Sequence, residues 1–98
     1  MVKKSNITYG CLVTCKRAEP AYYSNYGGNP ECIFEPGMIG VVRSVDVPSI
    51  RRKGVSFCCV DFHNKGKFWR CGLLYNNIVL IAAATKQSVR FAKTINKE

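Results

Sequence analysis

The chain has 98 residues, with 15 Lys and Arg against six Asp and Glu, which gives a formal net charge of +9. This length allows one domain, and the hydrophobic content of 47% excludes disorder over most of the chain. No apolar run approaches the ~20 residues of a membrane-spanning helix, and no secretory signal follows the basic N-terminus. These features predict a cytoplasmic protein with no membrane partner. The positive charge favours an acidic partner, which is DNA, RNA or an acidic protein.

The first structured segment is predicted to be a β-strand. Residues 1–6 are expected to be a flexible N-terminus, and from residue 7 apolar side chains recur at every second position, which is the period of a strand. Residues 17–36 have no clear period but contain prolines, glycines and tyrosines, and they predict one long ordered loop or irregular hairpin. In the first predicted strand, the side chains on the core face are those of Ile7, Tyr9, Cys11, Val13 and Cys15.

Four more strands are predicted between turn signals. The dipeptide Pro36-Gly37 predicts a turn, and Asn64 followed by Lys65 and Gly66 predicts a tight hairpin turn. A basic loop is expected at residues 47–53 and a single 3₁₀ turn at residues 74–77. The predicted strands cover residues 38–46, 54–62, 67–73 and 78–81.

The period changes from that of a strand to that of a helix at residue 82. Basic residues recur at spacings of four, three and four, which places them on one helix face. Apolar residues fall on the other side, with Val89 at its margin, and predict an amphipathic C-terminal helix or tail over residues 82–98. The basic stripe consists of Lys86, Arg90, Lys93 and Lys97, and the apolar side of Ala84, Phe91, Ala92 and Ile95.

Five short strands, a long first loop, a basic second loop, a tight third turn and a one-turn break before the last strand resemble the SH3-like barrels. Gly37, Gly40 and Val42 form a Gly-x-x-Gly-x-Val pattern. This pattern is similar to the second strand of the small SH3-like photosystem protein, of the ferredoxin–thioredoxin reductase variable chain and of KOW-type barrels. The resemblance covers residues 7–81 and implies a mainly β fold, a five-stranded SH3-like barrel with a long first loop and a short C-terminal helix. It implies an architecture and no function.

Two departures count against particular functions of SH3-like families. The first loop has only Glu19, Glu31 and Glu35 as acids, and Trp69, the single tryptophan, lies in the fourth predicted strand instead of opening the third. Capture of proline-rich peptides is therefore not expected. Nothing in the sequence indicates a redox partner, so the photosynthetic roles are not expected either.

The six cysteines do not form the pattern of a metal site, and the sequence contains no Cys-x-x-Cys pair. On one strand Cys11 and Cys15 would lie ~13 Å apart. Two thiolates at that separation do not share a zinc ion, which needs Zn–S distances of ~2.3 Å. The adjacent residues Cys58 and Cys59 would point to opposite faces. We therefore expect reduced thiols, no metal and no cofactor.

One strand face carries the residue types of a nucleophilic enzyme. Cys59, Asp61 and His63 alternate along the third predicted strand as thiol, acid and base. Neighbours on that face lie ~6–7 Å apart at Cα, and the acid stands between the nucleophile and the base. This order does not suit activation of the thiol, so we expect no catalytic residues and no enzyme.

Basic and aromatic residues interleave in the predicted loops. Exposed rings stack on bases while Lys and Arg neutralise phosphates, and this combination favours nucleic-acid binding. The tyrosines of the long loop are predicted to contact a partner, and they are Tyr22, Tyr23 and Tyr26. The predicted nucleic-acid-binding residues are Arg51, Arg52, Lys53, Lys65, Lys67, Arg70, Lys86, Arg90 and Lys93.

Two functions of different classes remain open at this point. One is a small, basic, non-enzymatic module that contacts nucleic acid through its loops. The other is a protein-interaction or assembly module, in which the tyrosine-rich loop supplies contact area and a strand edge or the C-terminal helix makes a homodimer.

Overall fold

A computed structural model describes residues 6–23, 32–50, 52–64 and 66–96, without the side chains of residues 22, 23 and 92–96. The chain is mainly β with one short C-terminal helix, as predicted. Within the described residues the strands are β1 (Leu12–Cys15), β2 (Glu19–Tyr23), β3 (Cys32–Phe34), β4 (Gly40–Pro48), β5 (Ser56–Asn64), β6 (Lys67–Leu74) and β7 (Ile78–Ala82). A 3₁₀ turn (Tyr75–Asn77) precedes β7, and the helix α1 (Lys86–Asn96) follows it.

All strand pairings among the described residues are antiparallel, in the order β3-β2-β6-β5-β4-β1-β7. The strands β3 and β7 form the two edges, so the sheet is not closed into a barrel. This corrects the predicted five-stranded closed barrel in strand number and in closure. The five predicted strands correspond to β1, β4, β5, β6 and β7, and the last four begin and end within two residues of their predicted bounds.

The two additional strands form a hairpin inside the predicted long loop, which was expected to be either an ordered loop or an irregular hairpin. Residues 19–21 of β2 pair with β3, whereas Tyr22 and Tyr23 pair with Arg70 and Trp69 of β6. Because β2 changes partner midway, the hairpin is tied to the edge of the main sheet. Local sequence patterns do not record such a change of partner.

The first strand is shorter than its alternating pattern predicts. Residues 7–11 precede β1 in a turn, in which the Cys11 amide donates to the Thr8 carbonyl at 3.1 Å and Gly10 has a φ of +89°. The predicted core face still faces inward, since Ile7 and Cys11 are buried before the strand begins. Tyr9 is the exception and is half-buried.

The buried side chains form one apolar cluster on the inner face of the sheet. It contains four of the cysteines, and Trp69 belongs to it with 5% of its surface exposed. The cluster comprises Ile7, Cys11, Val13, Cys15, Ala21, Phe34, Val42, Cys58, Val60, Phe62, Trp69, Cys71, Leu73 and Ile78.

A buried amide fixes the 3₁₀ turn to the start of the β2–β3 hairpin. Asn77 is 1% exposed, and its Oδ1 accepts hydrogen bonds from the amides of Lys16 at 3.0 Å and Arg17 at 2.7 Å. Its Nδ2 donates to the Arg17 carbonyl at 3.1 Å and to Glu19 Oε1 at 3.2 Å. Buried polar groups are tolerated when they are satisfied in this way. Asn77 therefore holds together segments far apart in the chain.

Helix α1 lies across the outer face of the sheet, opposite the apolar cluster, and contacts β4. Val41, whose strand partner is Asp61, is 7% exposed although it does not belong to the inner cluster. Val89 of α1 packs on the backbone at Gly10, where a Cβ added to the glycine would lie 2.6 Å from Val89 Cγ2. The helix begins with a capping interaction, in which the Ser88 amide donates to Thr85 Oγ1 at 3.0 Å.

The described members of the predicted apolar side do pack on the rest of the fold, since Ala84 packs against the apolar cluster and Phe91 contacts Phe68. Val89, expected at the margin, makes the close contact with the sheet. Phe91, expected on the apolar side, is 45% exposed.

We predict that Gly10→Ala destabilises the fold by about 2–4 kcal/mol, because it combines a left-handed backbone with a collision against Val89. The matched control is Gly54→Ala, since Gly54 also has a positive φ of +82° but no atom within 4 Å of the added Cβ. The control should lose only about 1–2 kcal/mol. Urea denaturation followed by circular dichroism measures both losses, and equal losses would show that the Val89 contact adds nothing.

Candidate functional site

The outer face of β5 and β6, beside α1, joins charged and aromatic side chains. Cross-strand pairing sets Asp61 opposite Arg70 and His63 opposite Phe68. Because side chains two residues apart in a strand share a face, both pairs lie on the same side of the sheet. We call His63, Phe68, Arg70 and Phe91 the outer-face patch.

Three rings of the outer-face patch form a row. The centroids of His63 and Phe68 lie 5.2 Å apart with an interplanar angle of 72°, and those of Phe68 and Phe91 lie 6.0 Å apart at 60°. Both arrangements are edge-to-face, which aromatic pairs prefer. Phe68 is half-buried in the middle of the row, whereas His63 and Phe91 are exposed. The row therefore ends in a phenyl ring that is supported on one side and open to solvent.

A buried carboxylate lies next to this row and holds two arginines. Asp61 is 2% exposed, and its Oδ1 accepts a hydrogen bond from Arg70 Nε at 3.1 Å. Its Oδ2 forms an ion pair with Arg43 Nε at 3.4 Å but accepts no hydrogen bond. Burial raises the pKa of Asp61 above its ordinary value of 3.8, and the charges of Arg70 and Arg43 oppose this without cancelling it. The side chains of Arg43 and Arg70 remain 25% and 23% exposed. The carboxylate thus fixes two guanidinium groups at the surface.

Two of the positively charged side chains of the helix are exposed. Lys86 and Arg90, two of the predicted nucleic-acid-binding residues, are exposed, while the side chain of Lys93 lies outside the description. An open groove of about 520 Å³ runs along the start of α1. Its described lining combines these two cations with apolar and small side chains, namely Ala84, Thr85 and Val89.

The predicted basic loop and the predicted basic turn lie at opposite ends of β5. Arg52 and Lys53 are exposed just before the strand begins, and Lys67 is exposed just after the turn that follows it. Nine residues of β-strand span roughly 26 Å. Arg51 and Lys65, also predicted to bind nucleic acid, lie outside the described residues.

Strand β6, which carries the predicted nucleic-acid-binding residue Arg70, lies between helix α1 and two of the predicted partner-binding tyrosines. Phe91 of α1 contacts Phe68 of β6, and on the other side of β6 the partner of Arg70 is Tyr22, which was predicted for partner binding. Tyr23 is paired with Trp69 in the same ladder. Tyr26 lies outside the described residues.

Trp69 and Phe91 have contrasting environments in this region, and the burial of Trp69 agrees with the average behaviour of tryptophan. Trp69 is buried, and its indole Nε1–H donates to the Asn64 carbonyl at 3.0 Å, so it contributes to the core and not to a surface. Phe91 was assigned to the apolar side of the helix but is an exposed ring. The alternation of β5 and β6 across the turn at Asn64 was the available signal, since it already pairs His63 with Phe68.

The residue types considered for nucleophilic chemistry occupy one face of β5, as their alternation predicts. Asp61 is committed to arginines, and His63 contacts the Phe68 ring edge-on. All six cysteines are free thiols. Burial raises the pKa of Cys71 to about 12, which keeps that thiol protonated. The described residues contain no group of three His, Cys, Asp or Glu side chains arranged to hold a metal ion.

Comparison with protein-family models, with curated proteins and with solved structures finds no match for this chain. Within the described ranges, no helix has both the length and the apolar character needed to cross a membrane. The geometry and charge of the surface are therefore the basis for any functional inference.

We predict that Asp61→Asn changes the pH dependence of stability. Because the folded-state pKa of Asp61 is raised, its contribution to the free energy of unfolding is greatest below pH 3.8 and is lost as the pH rises through the raised value. An asparagine does not titrate, so the variant should lack this decrease. Urea denaturation of both proteins between about pH 3 and pH 7 gives a difference curve in which other acids cancel. A difference of the opposite sign, with the aspartate more stabilising at higher pH, would mean that the arginines outweigh burial.

Proposed function

We propose that this chain is a small, non-enzymatic binding module that contacts nucleic acid through its exposed basic side chains. The observation that carries the proposal is the charge of α1. Its sequence contains Lys86, Arg90 and Lys93 and no acid, and the two cations whose exposure is described face solvent. A uniformly positive helix on the surface of a chain with net charge +9 is suited to a polyanion.

Local energetics support this interpretation of the helix. Lys86 lies in the first turn, where the helix dipole disfavours a cation by about 0.3–1 kcal/mol. Lys86 and Arg90 are four residues apart, a spacing at which like charges repel. Neither of these two effects stabilises the helix. Binding of phosphates would offset the repulsion.

The binding would be electrostatic and weakly sequence-specific. The second exposed basic group, Arg52 and Lys53, is separated from the turn after β5 by the length of that strand. Charges distributed in this way contact phosphates and not base edges. Helix α1 packs on the sheet through Val89, so it is not a recognition helix free to enter a major groove.

We further propose that the architecture is a variant of the SH3-like barrel. The order β6-β5-β4-β1-β7 and the 3₁₀ turn before the last strand support this assignment. The β2–β3 hairpin occupies the position in the chain of the long first loop. Such a fold would use its loops and appended helix for binding, while the fold itself implies no particular ligand.

We predict that affinity for a DNA duplex falls steeply as salt increases, because each neutralised phosphate contributes ~0.9 to the slope of log affinity against log salt. The double variant Lys86→Gln/Arg90→Gln should reduce that slope by about 1.8 and weaken unrelated sequences equally. Arg51→Ala/Arg52→Ala/Lys53→Ala should reduce it separately. Fluorescence anisotropy at several salt concentrations measures the slopes, and thermal unfolding checks each fold. Absence of binding at low salt, or affinity that does not respond to salt, would contradict the proposal.

The second candidate function is assembly through the edge strand β7. This strand pairs with β1 on one side, and Val79 and Ile81 are 36% and 48% exposed. Unpaired strand edges with β-branched side chains favour pairing with another chain. The helix is the weaker candidate for an interface because Val89 already packs on the sheet.

If the chain forms a homodimer through β7, Ile81→Lys should weaken it, because a charge on an edge strand opposes strand pairing. The matched control is Ile39→Lys, which adds the same charge at a side chain that is 54% exposed and lies outside the strands. Light scattering coupled to size-exclusion chromatography gives the mass over a range of concentrations. A monomer mass at every concentration of the unmodified protein would exclude assembly.

A further inference from the structure

We propose that the outer-face patch binds single-stranded nucleic acid by stacking an unpaired base on the ring of Phe91. This inference rests on the proposed function and specifies its ligand. The juxtaposition behind it is an exposed phenyl ring that contacts Phe68, with an arginine two residues from Phe68 on the same strand face and an exposed arginine next to the ring in the helix sequence.

The ring of Phe91 is supported as a stacking platform. It is 45% exposed, while its edge-to-face contact with the half-buried Phe68 limits its motion. Phe68 is held in turn by His63 at 5.2 Å. A base that stacks on a ring already fixed in place orders fewer side-chain torsions than one that stacks on a mobile ring. A base stacked on the ring would also bury apolar surface that the folded chain leaves exposed.

Positive charge flanks the ring on both elements. Arg70 lies on the same strand face as Phe68, roughly 7 Å away at Cα, and its Nε is hydrogen-bonded to Asp61. Arg90 precedes Phe91 in the chain and is exposed. Asp61 lies beside both Arg70 and Arg43, so this group of one carboxylate and two guanidinium groups keeps a net positive charge. Phosphates on either side of a stacked base would thus meet guanidinium groups.

The geometry favours a single strand over a duplex. In a duplex the bases are stacked on one another and paired, and a protein must unstack them before a ring can replace a neighbour. The outer-face patch lies where a helix crosses a sheet, and α1 is not free to enter a groove. Stacking of this kind accepts any base because every base has a π-face, so sequence preference should be weak.

The experiment compares labelled oligothymidylate of about 12 nucleotides with a duplex of the same length at one low salt concentration. The unmodified protein should bind the single strand more tightly. Phe91→Ala should weaken single-strand binding by about 5- to 100-fold and duplex binding much less. Phe91→Tyr, which retains a π-face, should bind as the unmodified protein does. The matched control Ile39→Ala removes a side chain of similar exposure elsewhere and should change neither affinity.

A second measurement reports stacking directly and does not depend on a variant that loses the ring. Phe91→Trp introduces an exposed indole, whereas the native Trp69 is buried and hydrogen-bonded. Single-strand binding should quench the fluorescence of the new indole, and a duplex should not. Phe91→Leu keeps an apolar contact with Phe68 but removes the π-face. It replaces Phe91→Ala if that variant unfolds, and it should show the same loss of single-strand affinity.

The outcomes separate the two proposals. If neither oligonucleotide binds at low salt, the proposed nucleic-acid function is wrong and stacking is wrong with it. If both bind equally, with no quenching in Phe91→Trp and no effect of Phe91→Leu, binding is electrostatic only and stacking is overturned. Single-strand preference that is lost with the π-face and retained in Phe91→Tyr supports it.

Discussion

The contact between Val89 and the backbone at Gly10 determines what the surface of this protein presents. It seats α1 on the outer face of the sheet, where Val41 and Asp61 are buried although both point away from the inner cluster. The contact requires a glycine, because a Cβ at position 10 would lie 2.6 Å from Val89 Cγ2, and glycine also adopts the positive φ of this turn. With Val89 packed there, Phe91 contacts Phe68, and Lys86 and Arg90 are exposed.

The two buried polar side chains Asn77 and Asp61 differ in how completely they are hydrogen-bonded. Asn77 has both donors and its acceptor oxygen engaged, so it joins the 3₁₀ turn to the chain leaving β1 without an unsatisfied group. Asp61 is held by Arg70 through one oxygen, while its other oxygen lacks a hydrogen bond and burial raises its pKa. Asn77 thus contributes to specificity of the fold, whereas Asp61 orients arginines at some expense in stability.

The positive surface of the molecule depends on the positions of its acidic residues as well as on its excess of Lys and Arg. Glu19 accepts from Asn77, Asp46 contacts the Tyr75 hydroxyl, and Asp61 is buried between arginines. These carboxylates are engaged in internal contacts, whereas Lys86 and Arg90 are exposed on a helix without acids. Such a division places exposed positive charge on a helix that contains no acid. It is an electrostatic arrangement suited to phosphates, with aromatic rings next to it.

The sequence by itself determined the mainly β class, the five predicted strands, the turn at Asn64 and the C-terminal helix, because strand period, turn residues and helical spacing act between near neighbours. Only the tertiary structure decided that β2 changes partner, that the sheet stays open and that Val89 makes the close contact with Gly10. These outcomes depend on contacts between distant segments, such as Gly10 with α1, which no local period encodes.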